Sequence, residues 1–390
     1  MMIKNKDIWC IIVILGCIVA GCRKPYNPPA ISAPNSYLVV EGVINSGADS
    51  TVITLSKTVN LSEKPSSTLL SNATVTVEAD GGAIYPLQAS MSNPGKYIAV
   101  GLNLDNTKKY RLHITASGNE YVSDYVAVKA TPPIDSITYK ITEKGLQINS
   151  NTHDVTNNTR YYRWAYEETW RFHARFNSGL IVKNGEIVFR GNDEQIYYCY
   201  AGDKSSNIVL ASSSKLVQDV ISQNPVTLIQ SNSEKLEIRY SILLKQYALT
   251  KEGYAFWENI KKNSEQLGSI FDPQPSEIKG NIHNVTNPAE PVVGYLSVTN
   301  VQTKRIFISN NDLPLTWQPQ VDAFCQIDSV LFANPHNGAN DVQNQIVNGG
   351  LIPISTISKD GFHVIGYTAS TVECTDCRVR GQVTAPQFWK

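Results

Sequence analysis

The sequence predicts a mainly β protein: an N-terminal Ig-like β-sandwich followed by a larger antiparallel β-rich domain with two short helices. Three observations carry the prediction. Tyr, Thr, Val, Ser, Asn and Ile are abundant while long helical patterns are few, which is the composition of strands. Apolar residues make up 42% of the chain, enough to build a core rather than a disordered polypeptide. Short alternating runs are separated by Gly, Pro, Asn and Asp clusters that read as turns.

The first module spans 37–131. "YLVVEGVI" (37–44) and "TVITLSKT" (51–58) flank a Ser-Gly-Ala-Asp turn. "ATVTVEA" (73–79) places Val75 and Val77 on one face and Thr74, Thr76 and Glu78 on the other. Asp80-Gly81-Gly82 is a hairpin signal before "AIYPLQA". "GKYIAV" (95–100), "KYRLHITA" (109–116) and "EYVSDYVAV" (120–128) complete seven short strands, with Tyr110, Leu112 and Ile114 on one face. Seven strands with turn signals between them are most economically arranged as an Ig-like sandwich. Thr131-Pro132-Pro133 reads as the boundary, since two prolines cannot continue a central strand.

The second module, 134–390, is less regular. In "TRYYRWAYEETWRFHARF" (159–176) one strand face is Tyr162, Trp164, Tyr166, Glu168, Trp170 and Phe172, and the other is largely charged. That alternation is typical of a half-buried strand. A ligand platform is the competing reading, kept open by Glu168 interrupting the aromatic face. Two helices are expected. "SSSKLVQDVISQNP" (212–225) has serine caps, an apolar spacing and a terminating Asn-Pro, which places a helix near 215–222. "LTKEGYAFWENIKKNSEQLGS" (249–269) has Thr250 as N-cap, an apolar stripe of Phe256, Trp257, Ile260 and Leu267, and Gly268 as a stop, which places one at 251–267. "KLEIRYSILLKQYAL" (235–249), "GYLSVTN" (294–300) and "KRIFIS" (304–309) read as strands. Asn310 to Gly350 reads as long loops, the usual place for binding on a β-scaffold.

The chain begins with a basic stretch containing Lys4 and Lys6, then Ile8 to Ala20, thirteen residues without a charge. That run is too short for a membrane-spanning helix, which takes roughly twenty residues. It has the layout of a secretory signal peptide over 1–21. Val19-Ala20-Gly21-Cys22 resembles the lipobox of bacterial lipoproteins. The resemblance implies cleavage before Cys22 and its modification by lipid, diacylglycerol and palmitate. Three prolines in Pro25-Tyr26-Asn27-Pro28-Pro29 make 22–36 a semi-rigid tether. Arg23 stands where an aspartate would signal inner-membrane retention, so a lipid-anchored outer-membrane protein is expected. Arg23-Lys24 also replace the acidic residues that favour surface display, which leaves the membrane face open.

Removing the first 21 of 390 residues leaves 369, enough for two or three domains. With 34 basic and 34 acidic residues in the whole chain, no charge excess points to nucleic acid. Cys199, Cys325, Cys374 and Cys377 are disulfide candidates in an exported chain, with three connectivities open. Cys374-Thr-Asp-Cys377 has redox-motif spacing but no βαβ surroundings, so structural bridges are expected. The chain has no G-x-S-x-G, H-E-x-x-H, P-loop or G-x-G-x-x-G. His113, His153, His173, His283, His336 and His363 are scattered without metal-ligand spacing. No enzyme, cofactor or metal site is expected.

"YLVVEGVINSGADSTVITLSKT", "YRLHITASGNEYVSDYVAVKATPPIDSI", "YYRWAYEETW", the run from "QYALTKEGYAFWENIKKN" to "NPAEPVVGYLSV", "RIFIS", and the terminal "CTDCRVRG" with "PQFW" form a collective pattern. They extend from about Tyr37 to Trp389. Together these stretches resemble the Bacteroidota lipoproteins called domain of unknown function 4249. The resemblance implies an outer-membrane lipoprotein commonly encoded beside a TonB-dependent receptor, with no established activity. The expected role is that of an accessory or binding protein partnering such a transporter in substrate capture or uptake. The alternative is a structural or adhesive envelope lipoprotein.

Overall fold

The computed structural model describes residues 36–59, 68–265, 280–319 and 324–389. Cys22, the signal peptide and the tether lie outside the described residues.

The first sandwich is built from β1 (Leu38–Asn45), β2 (Thr51–Lys57), β3 (Ala73–Ala79), β4 (Ile84–Ala89), β5 (Lys96–Ala99), β6 (Lys109–Ala116), β7 (Asn119–Ser123) and β8 (Val126–Ala127). Six of the seven expected strands form as single elements, and the seventh, 120–128, is split into β7 and β8. Alternation sets their faces: Tyr110, Leu112 and Ile114 are buried, and Arg111 and His113 point outward to the Glu78 carboxylate. Strand β4 pairs with β3 along Ile84–Leu87 and with β5 at Gln88 and Ala89, so it turns from one layer into the other around a shared core.

The second sandwich contains β9 (Ile134–Thr142), β10 (Gly145–Asp154), β11 (Tyr161–His173), the hairpin β12 (Leu180–Lys183) and β13 (Glu186–Phe189), β14 (Tyr198–Lys204), β15 (Val209–Ser212), β16 (Asp219–Gln230) and β17 (Arg239–Ala248). Helix α1 (Lys251–Glu265) follows. Next come β18 (Ile282–Asn284), β19 (Val298–Thr299) and β20 (Gln302–Ser309). One layer has the order β16-β10-β9 and the other β14-β11-β17-β20, with β15 also on β11. Their core includes Leu146, Ile148, Tyr162, Trp164, Tyr240 and Ile242. A third layer, β21 (Asp328–Leu331), β22 (Ile352–Ser358) and β23 (Val364–Ser370), has the order β21-β23-β22 and its own small core with the π-helical turn Val342–Val347. The segment 310–350 therefore holds ordered elements as well as loops. A one-turn helix α2 (Val372–Thr375) leads to the C-terminal tail.

Two further expectations are corrected. No helix forms near 215–222; the chain turns there and enters β16, antiparallel to β10. Leu216 and Val217 are exposed while Ile221 is buried, so the apolar spacing does not form one buried face. Asp219, which a helix would expose, is buried and accepts hydrogen bonds from Tyr162 and Ser213. Pro225 is accommodated at a register shift opposite Asn149. Helix α1 does form, with Thr250 Oγ1 accepting from the Gly253 N–H at 3.1 Å.

The partition at 131/134 is also incomplete, because the chain returns to the first sandwich after α1. There β18 pairs with β7, and β19 pairs in parallel with β1, so returning strands form both ends of the first sandwich's strand order. Gly294 permits the return: its φ is +147° and a Cβ there would lie 2.3 Å from the Val40 carbonyl oxygen.

Candidate functional site

The chain crosses between the sandwiches at 129–134 and again at 299–302, and the two crossings are tied together. The hydroxyls of Thr131 and Thr299 lie 2.6 Å apart, and the Thr131 N–H donates to Asn300 Oδ1 at 2.7 Å. Gln246 on β17 is fully buried below them. It accepts from Trp164 Nε1 at 2.9 Å and donates to the Pro132 carbonyl at 2.8 Å and to Thr152 Oγ1 at 3.0 Å. A buried amide satisfied on both its oxygen and its nitrogen is stable only in one arrangement. It ties the first crossing, at Pro132, to β10 and β11 of the second sandwich.

Between the hairpin β1–β2 and the central sheet lies a cleft of about 340 Å³. Asn45, Asp49 and Ser50 line it from the hairpin, and Arg163, Lys245 and Tyr247 from the sheet. The Arg163 guanidinium lies 4.6 Å from the Tyr247 ring centre and 4.3 Å from that of Trp257 on α1. Its Nε is enclosed and has no hydrogen-bond partner among the described residues. Burial lowers its affinity for the proton. Lys245 is engaged, donating to Glu167 Oε1 at 2.6 Å. Burial raises the Glu167 pKa, but the bond and charge of Lys245, with Lys204 and Arg305 behind it, bring it below the usual glutamate range.

The cleft opens onto the outward face of the central sheet. By strand alternation this face carries Arg163, Glu167 and Arg171 on β11, Tyr247, Lys245 and Arg239 on β17, Arg305 and Phe307 on β20, and Lys204 and Tyr200 on β14. Six cations thus share these four strand faces with a single carboxylate, in a chain of zero net charge. The guanidinium groups lie against rings: Arg171 over Tyr198 at 4.6 Å, Arg239 over Phe307 at 4.6 Å, and Arg305 over Phe388 at 3.5 Å. The tail closes the far end, with Trp389 against Tyr200 and Phe307.

The inward face of β11 is core. Tyr162, Trp164, Tyr166 and Phe172 are buried, so the aromatic run is not an open platform. Glu168 interrupts it because the Tyr240 hydroxyl donates to Glu168 Oε1 at 2.6 Å and the Lys235 ammonium binds its other oxygen. The cysteines pair as Cys199–Cys377 and Cys325–Cys374. Cys374 and Cys377 thus bond in different directions, one to the segment that leads into β21 and the other to β14. Among the described residues no group of His, Cys, Asp and Glu is placed to hold a metal ion.

Sequence reading missed Arg163, which falls within a face read as solvated charge. The available signal was the apolar stripe of α1, in which Trp257 is only half-buried and faces a guanidinium.

The model of a family described as a domain of unknown function (DUF4249) matches residues 23–305. No curated protein matches the chain. Among solved structures, a two fibronectin type-III domain segment of chicken tenascin is 12% identical, covering 55% of this chain and 93% of that one, with a TM-score of 0.16. The chicken interferon gamma receptor alpha chain is 9% identical over 55% of this chain and 91% of that one, with a TM-score of 0.15. CBD12 from CALX1.2 is 7% identical over 70% of this chain and 100% of that one, with a TM-score of 0.16. Superpositions this slight carry no argument about function.

Proposed function

The chain belongs to the domain-of-unknown-function 4249 family, and from that premise we propose that it is a lipid-anchored outer-membrane binding protein. In this reading Cys22 carries the lipid, the proline-rich segment holds the folded part off the membrane, and the protein partners a TonB-dependent transporter in substrate capture or uptake. It performs no covalent chemistry of its own. The observation that supports the reading best is the charge asymmetry of the central sheet: six cations sharing four strand faces with one carboxylate, beside a cleft at the seam between the sandwiches. A cationic face of this kind favours encounter with an acidic partner surface.

The experiment is affinity purification from detergent-solubilised outer membranes of the native host. A TonB-dependent receptor should co-elute with the wild-type chain and be lost from the double charge reversal Arg171→Glu, Arg305→Glu. Cys22→Ser should release the protein from the membrane fraction. Absence of any such receptor from the wild-type eluate would overturn the partnership.

The second reading is a structural or adhesive envelope lipoprotein. It draws on the same locked seam, which would let two sandwiches act as a stiff spacer. It predicts that deletion impairs attachment or envelope integrity while nutrient uptake stays normal.

A further inference from the structure

The cations along the central sheet differ in how they are satisfied. Lys245 is held by Glu167 at 2.6 Å, and Arg305 donates to Ser241 Oγ at 2.9 Å. Glu167 is the one carboxylate on these strand faces, and Lys245 occupies it. Arg163 has two aromatic rings and no acceptor among the described residues, and its Nε is sealed from water. Buried charges in folded proteins are as a rule paired, because ring faces offset only part of the lost hydration. Arg171 shares the enclosed Nε and the ring, but it does not line this cleft. Arg163 does, together with Ser50 and Asn45 of the hairpin. Asp49, the one carboxylate in the lining, belongs to the exposed hairpin turn.

From this we infer that the seam cleft binds a small ligand through a carboxylate group, with Arg163 as its anchor. A guanidinium presents parallel N–H donors that match the two oxygens of a carboxylate. One unpaired cation matches one negative charge; a phosphate dianion would call for a second, and Lys245 is already neutralised. The Tyr247 and Trp257 rings, with centres 4.6 and 4.3 Å from the guanidinium, restrict its movement. The volume, about 340 Å³, suits a small acid or the end of a short peptide rather than a polymer. The inference rests on the reading of the chain as a binding protein, but not on its tether or its receptor.

The test uses the full chain purified in detergent, without receptor or membrane. N-acetylglycylglycine is titrated by calorimetry and by tryptophan fluorescence, in parallel with its C-terminal amide and with inorganic phosphate. The expected result is saturable binding of the acid, at least tenfold weaker binding of the amide and of phosphate, and at least a tenfold loss in Arg163→Gln. Trp257→Phe should remove much of the fluorescence response while calorimetry still detects binding. If Arg163→Gln does not fold, Ser50→Trp fills the cleft from the exposed hairpin and should block the acid equally. No saturable binding to the wild-type chain, equal binding of acid and amide, tighter binding of phosphate, or acid binding that survives both variants would each overturn the inference. Failure here with receptor capture intact would refute the ligand class alone; loss of capture with acid binding intact would refute only the partnership.

Discussion

The two faces of strand β11 solve the same problem differently. On the inward face a carboxylate, Glu168, is buried among aromatic rings, and Tyr240 and Lys235 satisfy it. On the outward face a guanidinium, Arg163, lies against two aromatic rings with its Nε sealed and unpaired. The first arrangement is closed and structural. The second leaves hydrogen-bonding capacity unused inside a cleft. What separates a core charge from a candidate binding charge here is whether the fold itself supplies the partner.

The comparison is broken most severely from the inside. Trp164→Ala removes a fully buried indole and its bond to Gln246, and should lower unfolding free energy by about 3–5 kcal/mol. Urea denaturation measures it, and a loss below 1 kcal/mol would mean that the seam is not anchored there. Tyr240→Phe keeps the ring and deletes one bond to a buried carboxylate; about 1.5–3 kcal/mol should be lost. An unchanged midpoint would place Glu168 in contact with water.

Two smaller effects sharpen the outward side. Glu167 has a depressed pKa in the folded state, so its contribution is present above the ordinary glutamate value of 4.5 and disappears as pH falls through its lower folded value. Both partners are about one-third exposed, so the pair should be worth only about 0.5 kcal/mol, and Lys245→Gln should flatten the acid limb of the stability profile by that much. Arg163→Met should have the least effect, within about 0.5 kcal/mol of wild type, because an apolar chain replaces a partly buried, incompletely satisfied charge. A loss above 2 kcal/mol would make Arg163 a structural residue held by its rings, and would remove the contrast between the two faces.

The parts of this molecule that can be read from the chain are those governed by near neighbours. The inward row of β11 follows from period-two alternation, and Thr250 caps α1 as its spacing suggests. The segment 215–222 shows the limit. Its apolar residues have helical spacing, yet Asp219 is drawn inward by the distant Tyr162 and by Ser213 just before its own segment, and pairing with β10 prevails. Arg163 was hidden for the same reason: a charged residue on an outward face reads as solvated until the elements above it are placed.

By itself the sequence determined the β class, the strand-forming segments of 37–128 and which side of β11 is core, since each depends on alternation and turn residues within a few positions. Tertiary structure alone decided that 280–299 returns to the first sandwich, that Cys374 and Cys377 bond in different directions, and that the Nε of Arg163 is enclosed without an acceptor. Those outcomes depend on which distant segments meet, and a charge is satisfied or left open only by what surrounds it in space.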